Sequence, residues 1–149
     1  MPNRITWFDK MQPEQGRSSQ GDANLASAPY LLIVDDSRAN RELLRLYLEQ
    51  SACVLREAKD GREALESVMA QLPALIITDV SMPNLDGIAM TTRLRERYSA
   101  RKLPIVLMSS EHGGELLAQA RAAGANGFLP KPVSRRQLRT VVTRYCGET

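Results

Sequence analysis

Five short apolar runs, at residues 30–34, 53–58, 75–79, 105–108 and 127–129, alternate along this chain with stretches whose apolar residues recur at helical spacing. That alternation restricts the chain more than any other feature. The run at 75–79 reads as a strand buried on both faces and that at 30–34 as a buried strand, as in a parallel sheet, and the other three as further strands. Between them, Leu43, Leu44, Tyr47 and Leu48 form one helical stripe, Ala64, Leu65, Val68 and Met69 a second, and Ile88, Met90 or Thr91 and Leu94 a third. An Ala-rich helix then runs to Ala123, and a last helix carries Leu138, Val141, Val142 and Tyr145.

Start and stop signals agree with these assignments. Ser37, Asp60 with Glu63, Asp86, and Ser134 with Gln137 are placed as helix N-caps, and Gly124 suits a left-handed helix end. Five such units predict an α/β fold of three layers, with helices on both faces of a parallel sheet and right-handed crossovers.

At 149 residues the chain suits one domain, here residues 30–149, preceded by a tail at 1–29. The tail is rich in Gln, Ser, Gly and Asn and reads as flexible. Ile5, Trp7 and Phe8 interrupt it, either as a leader remnant or as a cluster that docks on the domain or a partner. No apolar run is long enough to span a bilayer, so no membrane association and a cytoplasmic location are expected. Cys53 and Cys146 lack metal-site spacing and read as reduced thiols.

The net charge of +3 conceals an asymmetry. Residues 30–92 hold 6 Lys and Arg against 10 Asp and Glu, whereas residues 93–149 hold 11 against 4. The first half is acidic and the second half basic.

Four strands end in functional groups: Asp35 and Asp36, then Asp79, then Ser109, then Lys131. A parallel sheet gathers those ends on one edge, where open α/β folds place their chemistry. Three crowded carboxylates raise one another's proton affinity unless a cation sits among them, and Mg²⁺ with oxygen ligands fits best. Such a site suits phosphoryl transfer, with Asp79 as the nucleophile, Lys131 neutralising charge and Ser109 bonding the product phosphoryl oxygen. Asp86 reads as a helix cap instead of a ligand, and His112 as a loop residue instead of a phosphodonor.

The segments LIVDDS (32–37), TDVSMPNLDG (78–87), VLMSS (106–110) and FLPKP (128–132) resemble those of response-regulator receiver domains of two-component signalling. The resemblance extends over about residues 30–146. It implies a flavodoxin-like (βα)5 sandwich with strand order 2-1-3-4-5. It also implies metal binding by Asp35, Asp36, Asp79 and the backbone carbonyl of Ser81, and phosphoacceptance at Asp79. Lys131 becomes the phosphoryl contact and the residue before a cis proline, Ser109 the hydroxyl switch, and Phe128 the aromatic switch. Ser81, Ser110 and Glu111 become the gate that sets autodephosphorylation.

The implied role is a signalling switch and not an enzyme in the ordinary sense, although it assists its own phosphorylation. A histidine kinase or histidine phosphotransfer protein would supply the phosphoryl group in a Mg²⁺-dependent step. The face made by the fourth helix, fifth strand and fifth helix would then engage a downstream protein or a second receiver. Arg135, Arg136 and Arg139 lie on that last helix as a solvated face or an acidic-partner contact; nucleic acid is disfavoured because no recognition helix accompanies them.

The alternative is a degenerate receiver that acts only as an interaction module, which the full acidic and Lys131 complement argues against. A phosphohydrolase would want a second acid at position 81, which is Ser, and a flavin site would be repelled by Asp35 and Asp36. No output domain follows Cys146, which fits a single-domain regulator or a piece of a longer protein equally.

Overall fold

The computed structural model describes residues 4–9, 29–51, 53–111 and 113–147; most of the 1–29 tail, and His112, lie outside them. In chain order the elements are β1 (Thr6–Trp7), β2 (Tyr30–Val34), α1 (Arg38–Tyr47), β3 (Val54–Ala58), α2 (Gly61–Ala70), β4 (Leu75–Asp79), α3 (Gly87–Arg95), β5 (Ile105–Ser109), α4 (Gly114–Ala123), β6 (Gly127–Pro130) and α5 (Arg135–Cys146). One sheet has the order β1-β6-β5-β4-β2-β3. Its five longer strands are parallel in the expected 2-1-3-4-5 arrangement.

Strand residues alternate between two cores, as the twofold strand period requires. Leu32, Val34, Ile76, Ile105, Leu107 and Phe128 pack with Ala64 and Val68 of α2, Met90 and Leu94 of α3, and Ala120 of α4. Leu31, Ile33, Leu75, Ile77, Val106, Met108 and Leu129 pack with Leu44 of α1 and Leu138, Val141 and Val142 of α5. Helices α1 and α5 thus cover one face, and α2, α3 and α4 the other. Cys53 and Cys146 meet in the second core, where the hydrogen bond with Cys146 holds the Cys53 thiol below its usual range.

The side chains of Ser37, Asp60, Asp86 and Ser134 accept N–H bonds from Asn40, Glu63, Ala89 and Gln137. Ser134 and Gln137 complete a capping box. Gly124 ends α4 at φ +97°, in the left-handed region that glycine enters without a Cβ penalty.

Three expectations are corrected. Leu43 and Met69 were assigned to buried stripes, yet they are 43% and 72% exposed. Each lies next to a residue that does face the sheet, Leu44 and Val68, and one helical step turns a side chain by about 100°. The third concerns the tail, which is not wholly detached. Thr6 and Trp7 form an antiparallel edge strand on β6, with Thr6 opposite Phe128 and Trp7 opposite Gly127.

Asn126, just before β6, ties the layers together. Its Oδ1 accepts from the Ile105 N–H at 2.8 Å and from Arg95 Nη2 at 2.9 Å. Its Nδ2 donates to the Ala100 carbonyl at 3.0 Å and to Asp9 Oδ2 at 2.6 Å. Arg95 also donates to the carbonyls of Gly124, Tyr98, Ser99 and Leu103. Burial lowers its pKa to about 10, which leaves it charged at neutral pH. Asn126→Ala strands the buried Ile105 N–H, and urea unfolding should show a loss of about 1–3 kcal/mol; a loss under about 0.5 kcal/mol, an ordinary surface effect, would refute this role.

Candidate functional site

The carboxyl ends of β2, β4, β5 and β6 converge, and Asp35, Asp79, Ser109 and Lys131 sit at them. Asp35 is fully buried. Its Oδ1 accepts from the Ser37 N–H at 2.9 Å and its Oδ2 from Asn40 Nδ2 at 3.4 Å. Arg41 Nη1 donates to the Asp35 carbonyl at 2.7 Å, while its Nε bonds Glu57 at 2.9 Å. The first turn of α1 therefore fixes the Asp35 side chain and backbone together.

Asp79 is 8% exposed at the last position of β4. Lys131 Nζ lies 3.1 Å from Asp79 Oδ2 and 3.6 Å from Asp35 Oδ2, and the Ser81 N–H donates to Asp79 Oδ1 at 3.4 Å. Burial raises the Asp79 pKa above the ordinary carboxyl value, Lys131 opposes the rise, and the Asp35 charge adds to it. One carboxylate oxygen from each of Asp35, Asp36 and Asp79 lies within 4.8 Å of the others, with Asp36 at the exposed side. That donor set is all oxygen and rich in charge, so it fits a hard divalent cation such as Mg²⁺.

Ser109 is buried, and its Oγ accepts from the Glu111 N–H at 2.9 Å. The Lys131 N–H donates to the Ser109 carbonyl at 2.8 Å, which joins the loop after β6 to the end of β5. The Lys131–Pro132 bond is cis. Ser81, Ser110 and Glu111 are all exposed. Phe128 is buried one strand away, opposite Leu107 in the β5–β6 ladder.

Sequence reasoning missed several supporting residues. Asn40 and Arg41 fix Asp35, and the Thr78 hydroxyl donates to the Asp79 carbonyl at 3.0 Å. A Cβ on Gly87 would fall 2.3 Å from that same carbonyl, so only glycine lets α3 start against the end of β4. Asp86 is legible in the sequence as a helix cap, whereas the close packing at Gly87 has no local signal. A cavity of about 360 Å³ opens beside Asp35, its lining made by Ser110 and Lys131 together with the apolar Leu43, Tyr47, Pro132 and Val133.

Comparison with known proteins gives a consistent picture. The family model described as the response regulator receiver domain matches residues 31–143. An uncharacterised 14.6 kDa protein of Leptolyngbya boryana is 34% identical over 116 residues, 78% of this chain and 88% of that protein. The transcriptional regulatory protein SrrA of Staphylococcus aureus is 34% identical over 108 residues, 72% of this chain but only 44% of SrrA. The chain thus spans less than half the length of that regulator. The chemotaxis protein CheY4 of Vibrio cholerae superposes with a TM-score of 0.72 at 30% identity, covering 79% of this chain and 98% of CheY4.

The raised Asp79 pKa has a defined consequence for stability. Folding strengthens proton binding at Asp79, so its contribution is fully present below the unfolded value of about 4 and is lost as pH rises through the higher folded value. In EDTA at pH 7, Asp79→Asn should therefore melt above the parent chain, with the gap closing as pH falls below 4. A parent chain that melts higher at pH 7 would contradict this.

Proposed function

This chain belongs to the response-regulator receiver family of two-component signalling, and we propose that Asp79 accepts its phosphoryl group. The reading rests above all on the contact of Lys131 with both Asp79 and Asp35 at the carboxyl end of the sheet, 3.1 and 3.6 Å away. A turn residue or helix cap requires neither a paired ammonium nor two further acids.

Asp79 would attack the phosphorus of a phosphohistidine on a kinase or phosphotransfer protein. The O–P bond forms as the N–P bond breaks, and the departing imidazole keeps the electron pair and takes up a proton. Lys131 offsets the charge of the transferring group, as a fixed cation in a water-poor site can. Mg²⁺ held by Asp35, Asp36, Asp79 and the Ser81 carbonyl would supply further neutralisation of the phosphoryl oxygens. The donor would approach along the apolar side of the cavity, where Leu43 is exposed and Val133 and Tyr47 are half-buried.

Once formed, the aspartyl phosphate offers new acceptor oxygens. Ser109 exchanges its local turn bond with Glu111 for one to the phosphoryl group, which draws the end of β5 inward. Phe128 then repacks, and the surface of α4, β6 and α5 shifts between two arrangements for a downstream protein or a second receiver. Ser81, Ser110 and Glu111 line the exposed approach of hydrolytic water.

Incubation with acetyl phosphate and Mg²⁺ should add one phosphoryl group, located by peptide mass spectrometry at Asp79. EDTA should suppress the labelling, and Lys131→Ala should slow it by about 10²-fold, the usual effect of removing one charge-stabilising group. Unchanged labelling of Asp79→Asn would overturn the assignment.

A further inference from the structure

The segment at residues 4–9 behaves chemically as a bound peptide. Thr6 and Trp7 extend the sheet along β6, and the Phe8 N–H continues the contact by donating to the Asn126 carbonyl at 2.8 Å. Trp7 lies against Arg144, whose guanidinium is 4.3 Å from the ring centroid, and meets the Tyr145 ring edge-on at 6.0 Å. Phe8 packs against the other core. Successive aromatic side chains thus go to opposite faces of the sheet, as an added strand requires.

Asp9 ends the segment with an acid that three groups of the domain receive. Asp9 Oδ1 accepts from Arg144 Nη2 at 3.1 Å, and Oδ2 accepts from the Tyr145 hydroxyl at 2.9 Å and from Asn126 Nδ2 at 2.6 Å. Asn126 is fully buried and aimed at that carboxylate. The acceptor surface also has a space cut for the ligand. The atoms nearest to a Cβ on Gly127 would be those of the segment, Trp7 Cε3 at 3.1 Å and the Thr6 carbonyl at 3.2 Å.

We propose that the outer edge of β6, with Asn126, Gly127, Arg144 and Tyr145, is a binding site for an extended peptide bearing two adjacent aromatics followed by an acid, and that residues 4–9 are its tethered, displaceable ligand. Displacement is feasible because the strand is two residues long and residues 5–9 remain half-exposed. Recognition combines main-chain pairing for affinity with side-chain contacts for specificity. The site lies on the face assigned above to output, so a partner that uses the β6 edge has to displace the segment. That consequence rests on the receiver reading; the site itself does not.

The test needs no phosphorylation. The probe is a fluorescein-labelled synthetic peptide of residues 3–11, titrated by anisotropy into the full chain and into the full chain carrying Trp7→Ala and Asp9→Ala. The double variant should bind the probe saturably. The unaltered chain should bind it at least tenfold more weakly, because its own segment competes at an effective concentration on the order of millimolar. A probe peptide with Asp9→Ala should bind at least tenfold more weakly than the natural one.

Trp7 is the only tryptophan, so its emission reports docking directly in the otherwise unaltered chain. Gly127→Val should shift that emission to the value of a solvated indole while far-ultraviolet circular dichroism stays unchanged. Equal probe affinity for the two chains, no binding to a folded double variant, or a Trp7 emission indifferent to Gly127→Val would each overturn the proposal. Failure of Asp79 labelling would leave all three readouts unaffected and would count against the receiver reading alone.

Discussion

The carboxylate of Asp79 is the group on which the rest of the site depends. A buried anion beside Asp35 is costly, and the surrounding elements limit that cost by placing Lys131 within reach of both acids. The compensation is incomplete, because the Asp79 pKa still lies above its ordinary value. A metal ion, or a phosphoryl group with its metal, would find a place where neutralisation is unfinished. The sheet's architecture makes the arrangement possible: β2, β4 and β6 run parallel, so their three charged ends meet without any long loop.

The same principle explains which parts of the molecule were readable from the sequence. Parallel strands buried on both faces leave continuous apolar runs, and four of the five such strands are buried at every position. Caps carry their own chemistry, so Ser37, Asp60, Asp86 and Ser134 were legible one by one. The chemical groups at strand ends followed from topology. Leu43 and Met69 misled because a helix stripe has soft borders, and the packing partner decides which flanking residue is covered.

The supporting residues were illegible for a different reason. Asn40 and Arg41 act on Asp35 through the first turn of α1, and Gly87 acts by having no side chain where α3 meets the Asp79 carbonyl. Nothing in local pattern separates such residues from ordinary helix polar groups or turn glycines. Asn126 is the strongest case. Its four partners are Asp9 at the N-terminal segment and Arg95, Ala100 and Ile105 between α3 and β5, all distant in sequence, so only the folded state reveals it as a junction.

The two edges of the parallel sheet show how the N-terminal segment came to be needed. An exposed edge invites pairing with other chains unless it is charged, broken or covered. Strand β3 carries Arg56 and Glu57, and Glu57 is held by Arg41 and Arg45, so that edge protects itself. Strand β6 reads Gly-Phe-Leu-Pro, with no charge and every residue buried. It cannot be blunted in the same way, because Phe128 serves the core and the chain must reach Lys131 directly after Pro130. Covering is the remaining solution, and β1 provides it on the strand that leads from the outer surface to the Lys131 ammonium. A cover made of two paired residues and one acid is weak enough to leave. Edge protection and, on the proposed reading, access to the output face therefore fall to the same six residues.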